Sequence, residues 1–326
     1  MDRALRLGVD LGGTKTEAVV LRLEGGEPRV LARMRIATPR EAGYEHVVAA
    51  TARLVADVAR QAGLDEPPPV GVGMPGSVTL RAPDGSRSDV PLVKNSNTTC
   101  LNGRPFRADL ARAIGASFSP GAGFDPSAVA FANDANCFAL AEATYGATRG
   151  ARVSFGAILG TGVGGGIALR GDGGVRAWDG AQGIAGEWGH VVLDPAAGPH
   201  CYCGRRGCVE RYLSGPAIEQ AYLRRTGRAS SVAAMAGARD TDADAKAALD
   251  DFIAAFGRAM ATVIDVLDPD AIVLGGGVSN LSLLYDDGPA AVARWVFNDE
   301  LRTPIVRHTL GDSAGVLGAA LLIQSP

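Results

Sequence analysis

The sequence predicts an α/β chain built as two similar halves facing a cleft. Its 326 residues exceed one ordinary domain. A start of strand, glycine turn, strand occurs twice, at Leu7–Leu23 and again over 152–170. Each occurrence is followed by alternating helical and strand patterns. Hydrophobic residues make up 47% and charged residues 21%, so each half has the apolar material for its own core.

The first half opens with three strand patterns, Leu5–Val9, Glu17–Leu23 and Arg29–Ala37, punctuated by Gly12-Gly13 and Gly25-Gly26. Residues 44–62 have helical spacing through Val47, Val48, Leu54, Val55 and Val58. Val70–Met74 reads as a short strand ending at Pro75-Gly76, Phe106–Ile114 as a helix and Ala128–Ala132 as a strand. Asn133-Asp134 supplies cap residues for a helix that begins there. In the second half, Val153–Leu159 and Ile167–Arg170 are strand patterns around a Gly160–Gly166 turn. Residues 228–245 read as an exposed loop or weak helix. Residues 249–267 read as a long amphipathic helix with Leu249, Phe252, Ile253, Phe256, Met260, Val263, Ile264 and Leu267 on one face. Strands Ala271–Leu274 and Ile305–Thr309 and a helix Gly315–Ile323 complete the pattern.

Glycine is abundant, at 44 residues, and clustered. Asp10-Leu11-Gly12-Gly13-Thr14-Lys15-Thr16 and Gly160-Thr161-Gly162-Val163-Gly164-Gly165-Gly166 each lie between strand patterns, and Gly275-Gly276-Gly277 follows a third. Phosphate needs backbone N–H groups that approach closely, which glycine permits. The Thr14 and Thr161 hydroxyls add donors, and Asp10 at a strand end suits a hydrated Mg²⁺ bridging phosphates. Any one of these loops reads equally well as an ordinary hairpin turn; three at this density favour phosphate binding. Gly160, Gly162 and Gly165 also match the dinucleotide fingerprint, but a strand rather than a helix follows them, which excludes it. No G-x-x-x-x-G-K-[ST] occurs, which excludes a P-loop.

Asp134 at a strand-to-helix junction is placed to accept a proton from a substrate hydroxyl, as a phosphoryl-transfer base must. Capping of the helix by Asn133 or Asp134 is the plainer role, and the two are compatible. Of five cysteines, three crowd into Cys201-Tyr202-Cys203-…-Cys208. With one histidine they make a closed tetrahedral zinc set, the fourth ligand being His190 or His200. Such a site is structural and would hold Glu187 and Glu210 near each other, where both reach sugar hydroxyls. The odd cysteine count and the absence of a signal-peptide pattern after Met1 point to a cytoplasmic chain without disulfides. A net charge of −3 gives no footprint for nucleic acid, and no apolar run is long enough to span a membrane.

Together these motifs resemble the ROK family of bacterial sugar kinases and repressors, from Asp10 to about Ala320. The resemblance implies an actin/hexokinase-like (ribonuclease H-like) duplicated two-domain fold with a central cleft. It places a small domain over residues 1–132 plus about 311–326 and a larger one, with the zinc loop, over 133–310. It implies ATP-dependent phosphorylation of a hexose 6-hydroxyl, with ATP and Mg²⁺ as cofactors and a structural Zn²⁺. Asp134 is then the base, and Asn97, Asn133, Glu187, His190 and Glu210 bind the sugar. Asp10, Gly12, Gly13, Thr14, Lys15, Gly160, Thr161, Gly162, Gly164, Gly275, Gly276 and Gly277 serve the nucleotide. His190, Cys201, Cys203 and Cys208 hold zinc, leaving the second ring nitrogen of His190 for sugar. The chain is expected to form a homodimer.

Within the family, Val93-Lys94-Asn95-Ser96-Asn97, Pro199–Gly204 and Arg307–Gly315 look most like the fructokinase branch, although Cys100 stands where that branch often has an aromatic residue. N-acetylglucosamine kinases and glucokinases share most of these motifs. The family's repressors carry a helix-turn-helix ahead of the sugar-binding half, for which Asp10 leaves no room. A non-catalytic sugar sensor is expected to lack the base or a phosphate loop, and this chain keeps both.

Overall fold

The computed structural model describes residues 4–24, 27–118 and 128–323. Along the chain run β1 (Leu5–Leu11), β2 (Lys15–Glu24), β3 (Glu27–Ala37), α1 (Tyr44–Gln61), β4 (Val70–Met74), β5 (Ser77–Arg81), β6 (Arg87–Lys94), α2 (Phe106–Ala116), β7 (Val129–Asn133) and α3 (Asp134–Tyr145). There follow β8 (Val153–Leu159), β9 (Val163–Gly171), β10 (Gly174–Ala177), α4 (Glu210–Leu213), α5 (Gly215–Thr226), α6 (Val232–Gly237), α7 (Ala243–Leu267), β11 (Ala271–Gly275), α8 (Leu283–Asp286), α9 (Gly288–Ala293), β12 (Ile305–Arg307) and α10 (Ala314–Ala320). Among the described residues no helix is long and apolar enough to cross a membrane.

The chain forms two compact units: Met1–Ala141 with Arg176–Ala185 and Asp312–Pro326, and Glu142–Val175 with Gly186–Gly311. The division falls inside α3, not before it as the expected split at 132/133 has it. The reason is local. Cys137 on α3 is fully buried and packs with Ala132 and Ala319 of the first unit. One turn on, the buried Glu142 carboxylate accepts N–H bonds from Thr309 (3.1 Å) and Leu310 (2.9 Å) of the second.

The first unit is a sheet of order β3-β2-β1-β4-β7, with β1–β2–β3 antiparallel and β1–β4–β7 parallel. α1 and α2 bury apolar stripes in its core. Phe106, Leu110 and Ile114, spaced by four, are each fully buried. Burial of side chains this size contributes about 1.5–3 kcal/mol each. α10 packs on β1 and β4, and its Gly318 lies so near α3 that a Cβ there would overlap the Cys137 carbonyl. Backbone cannot yield as a flexible side chain does, so Gly318→Ala is expected to destabilise the protein by about 2–3 kcal/mol. Urea denaturation checks this; an unchanged midpoint contradicts the packing.

The second unit has a sheet of order β10-β9-β8-β11-β12, with β8–β9 antiparallel and β8–β11–β12 parallel. Term by term this repeats the first sheet: an antiparallel hairpin, then two parallel strands on its far side. The fold is thus the duplicated α/β plan.

Several elements differ from the sequence expectation. β9 starts at Val163, so Gly164–Gly166 lie within a strand, opposite Gly156–Ile158, and not in a turn. The stretch 228–245 holds α6, capped by the Ser231 side chain, and the first turn of α7, capped by Asp242 through the N–H groups of Asp244 (2.9 Å) and Ala245 (3.1 Å). The β5–β6 hairpin was not foreseen.

Candidate active site

In the first unit, strand register brings the candidate residues to one end of the sheet. Asp10 on β1 lies beside Gly73 on β4, and Met74 beside Asn133 on β7. These are the carboxyl ends of parallel strands, where α/β sheets bind ligands. Burial pushes the Asp10 carboxyl up to about 6, helped by the Glu17 carboxylate and opposed by Lys15 and Arg35. Glu17 is itself buried and paired with Arg33 and Arg35. Gly315 on α10 closes over Asp10: a Cβ there would come within 2.7 Å of Oδ2. An acid desolvated in this way suits a cation, and Asp10 fits the Mg²⁺ role.

The turn after β1 is tight, with the Gly12 N–H donating to the Lys15 carbonyl at 2.9 Å. Thr38, not singled out from sequence, pins it twice. Its N–H donates to the Thr14 carbonyl (3.0 Å) and its hydroxyl to the Gly12 carbonyl (2.8 Å). Asn97 lies beside this turn, with Oδ1 3.6 Å from where a Gly13 Cβ would sit. Asn102 holds the segment that carries Asn97: its Oδ1 accepts from the Ser96 N–H (2.9 Å) and its Nδ2 donates to the Ser96 carbonyl (3.0 Å).

Asn133 and Asp134 both cap α3, their Oδ1 atoms accepting the Ala135 N–H at 2.8 and 2.9 Å. Asn133 Nδ2 also donates to the Gly76 carbonyl at 3.0 Å, tying β7 to the turn after β4. Asp134 is half-buried at the N-terminal end of the helix.

The second unit gathers the remaining residues. The Gly160 N–H donates to the Gly162 carbonyl (2.9 Å), and the Gly215 N–H to the Gly160 carbonyl (2.8 Å). Glu210 at the start of α4 is not free: its Oε2 accepts the Val163 N–H at 3.0 Å. Trp188, missed from sequence, donates from Nε1 to the Gly164 carbonyl at 2.7 Å, with its ring edge-on to Phe155. A Cβ on Gly165 would meet both rings, at 2.5 and 2.6 Å. The glycines of β9 therefore admit Trp188, which neighbours Glu187 and His190. Gly276, at φ +82°, packs so closely on Leu159 that the third glycine turn sits against the end of β8.

His190, Cys201, Cys203 and Cys208 converge, their ligand atoms all within 4.8 Å of one another. Cys201 Sγ is 3.7 Å from His190 Nδ1, and Cys203 Sγ is 3.5 Å from Cys208 Sγ. Bonds of about 2.0–2.3 Å to one tetrahedral zinc need such spacings. Burial and hydrogen bonds with Cys203 and Cys201 push the Cys208 thiol up to about 12. A cation is what would let these sulfurs ionise together, so the donor set fits zinc. His200 is outside the group; its backbone bridges to Arg206. His190 Nε2 meets the Tyr202 hydroxyl at 3.1 Å, so the nitrogen expected for sugar has a protein partner. Burial, Glu210, Cys201 and Glu187 together push that hydroxyl up to about 12, which places both carboxylates in the surroundings of Tyr202.

The candidates are thus divided. Asp10–Lys15, Asn97, Asn133 and Asp134 belong to the first unit; Gly160–Gly164, Glu187, His190, the cysteines, Glu210 and Gly275–Gly277 belong to the second.

The chain is similar over its whole length to known proteins. It is 33% identical to the N-acetyl-D-glucosamine kinase of Photobacterium profundum over 327 aligned residues, covering 97% of this chain and 98% of that one. The crystal structure of a ROK hexokinase from Thermus thermophilus superposes with a TM-score of 0.79 at 31% identity, covering 98% of this chain and 97% of that one. A ROK family glucokinase from Streptomyces griseus, solved in complex with glucose and AMPPNP, superposes at a TM-score of 0.72 and 28% identity, covering 98% of each. The profile of the ROK family matches residues 6–325. On a match of this extent, with the duplicated sheets in place, the chain belongs to the ROK family.

Proposed function

We propose that this enzyme is a sugar kinase that transfers the terminal phosphoryl group of Mg-ATP to the 6-hydroxyl of an N-acetylhexosamine, N-acetyl-D-glucosamine first among them. The observation that carries the kinase reading is the first sheet. It presents Asp10, the Gly12-Gly13 turn and Asp134 at one end of adjoining strands. The amino sugar is supported by the curated relative at 33% identity, which is named for it. ATP is supported by the AMPPNP bound to the Streptomyces griseus glucokinase.

In this reading Asp134 accepts the proton of the sugar 6-hydroxyl. The oxygen forms a bond to the γ-phosphorus, the bond from that phosphorus to the β,γ-bridging oxygen breaks, and ADP leaves with the electron pair. The Gly12–Thr14 and Gly160–Gly164 backbones, with Lys15, Thr14, Thr161 and Gly275–Gly277, position the nucleotide. Asn97, Asn133, Glu187, His190 and Glu210 orient the sugar. Asp10 would hold a magnesium ion, which would neutralise phosphate charge. His190, Cys201, Cys203 and Cys208 would hold zinc, whose role would be structural because four protein ligands would leave no open position. The enzyme acts as a cytoplasmic homodimer.

A second reading, fructose as acceptor, keeps the support of the Val93–Asn97 and Arg307–Gly315 segments. kcat/KM for N-acetylglucosamine, glucose, mannose and fructose separates the two. The proposal expects N-acetylglucosamine to lead; a clear lead for fructose sinks the amino-sugar assignment and leaves the kinase.

A further inference from the structure

The first glycine turn is overhung by Asn97 and by two polar groups, Arg40 and Thr98, that the roles above do not use. A Cβ on Gly13 would lie 3.6 Å from Arg40 Nη1, 3.6 Å from Asn97 Oδ1 and 3.7 Å from Thr98 Oγ1. These groups come from two segments of the first unit, one carrying Arg40 and the other Asn97 and Thr98, and converge on one point beside the turn. Thr98 is fully buried, yet its hydroxyl has no hydrogen-bond partner among the described residues. A buried hydroxyl left unpaired is costly, so a group that completes it is expected at this point.

The position of Arg40 is built in. Thr38 is fixed to the turn by its two bonds to Thr14 and Gly12, and the Arg40 N–H donates to the Thr38 carbonyl at 2.9 Å. Pro39, between them, restricts the backbone further. Arg40 meets Glu41 through Nε at 3.0 Å on the solvent side, while Nη1 turns to Gly13. An exposed pair of this kind is worth little and leaves the guanidinium available. The charged groups that bear on Asp10 from the surrounding strands are Glu17, Lys15 and Arg35.

We propose that Arg40 holds the phosphoryl group being transferred, with the Thr98 hydroxyl as a second donor. This rests on the kinase reading and adds to it a residue that binds the moving group. A guanidinium presents paired donors that match phosphate oxygens, and a cation there offsets charge on the group in transit. The site at Gly13 lies where the nucleotide turn meets Asn97, the residue assigned to the sugar. The group over Gly13 is therefore the γ-phosphoryl rather than the β.

Calorimetry of Mg-AMPPNP and Mg-ADP binding, with steady-state kinetics, tests this on the parent, Arg40→Ala, Arg40→Lys and Glu41→Ala. For Arg40→Ala, Mg-AMPPNP affinity should fall roughly tenfold or more while Mg-ADP stays within about twofold. Its kcat should fall roughly 100-fold, with sugar KM little changed. Arg40→Lys should recover part of both losses, and Glu41→Ala should match the parent. If Arg40→Ala weakens both nucleotides equally or neither, or keeps parental kcat, the assignment of Arg40 is overturned while the kinase reading stands. A parent that binds neither nucleotide overturns both.

Discussion

Asp134→Asn is expected to lower kcat by roughly 1,000-fold while sugar and nucleotide affinities change by no more than a few fold. The variant is well suited to the question because capping and catalysis separate in it. In the parent, Asp134 Oδ1 accepts the Ala135 N–H at 2.9 Å, and an asparagine amide oxygen can do the same. Asn133 caps the same N–H at 2.8 Å, so α3 keeps its start in any case. What the amide loses is the capacity to take a proton. Rapid-quench kinetics with binding measured by calorimetry checks the result. A near-parental kcat reduces Asp134 to a helix cap and removes the base from the account.

Cys203→Ser is expected to lose the bound zinc and about 4 kcal/mol or more of stability. Cys203 is exposed, whereas Cys201 and Cys208 are buried, so its replacement removes a ligand with little change in packing. A large loss of stability must then come from the metal. Sugar KM should rise too, because His190 is one of the proposed ligands and Glu210, assigned to the sugar, follows Cys208 by two residues. Metal analysis and thermal denaturation read both effects, and treating the parent with a strong chelator should reproduce them. A parent purified without zinc, or a variant as stable as the parent, contradicts the structural metal.

The sequence read well wherever period and punctuation coincide. The β1–β2 and β8–β9 hairpins are apolar runs broken by glycine, and the repeat of that pattern was enough to expect duplicated halves. Cys201, Cys203 and Cys208 pointed to a metal by crowding alone, but His190 against His200 was a question of distance, and it is His190 Nδ1 that lies 3.7 Å from Cys201 Sγ. Glycine density misled at Gly164–Gly166. There the missing side chains make room for Trp188 and Phe155, and nothing in a linear sequence separates a glycine that turns from one that admits a ring. The β5–β6 hairpin was hidden because its strands are largely exposed and bury no regular apolar face. In 228–245 the alanines carry little periodicity, and the helix starts were marked only by the cap residues Ser231 and Asp242. Arg40 and Thr98 could not be read at all, since their meeting at Gly13 is purely tertiary. Likewise, the acceptor sugar depends on side chains brought together from several segments, and motifs shared across the family do not encode it.

The most direct test of the account is the product itself. Incubating the purified enzyme with Mg-ATP and N-acetylglucosamine and following the phosphorus signals by NMR should show one ADP formed per sugar phosphate, with the new phosphate coupled to the C6 protons. ATP left intact across the hexoses, or hydrolysed to ADP and free phosphate without a sugar phosphate, contradicts it.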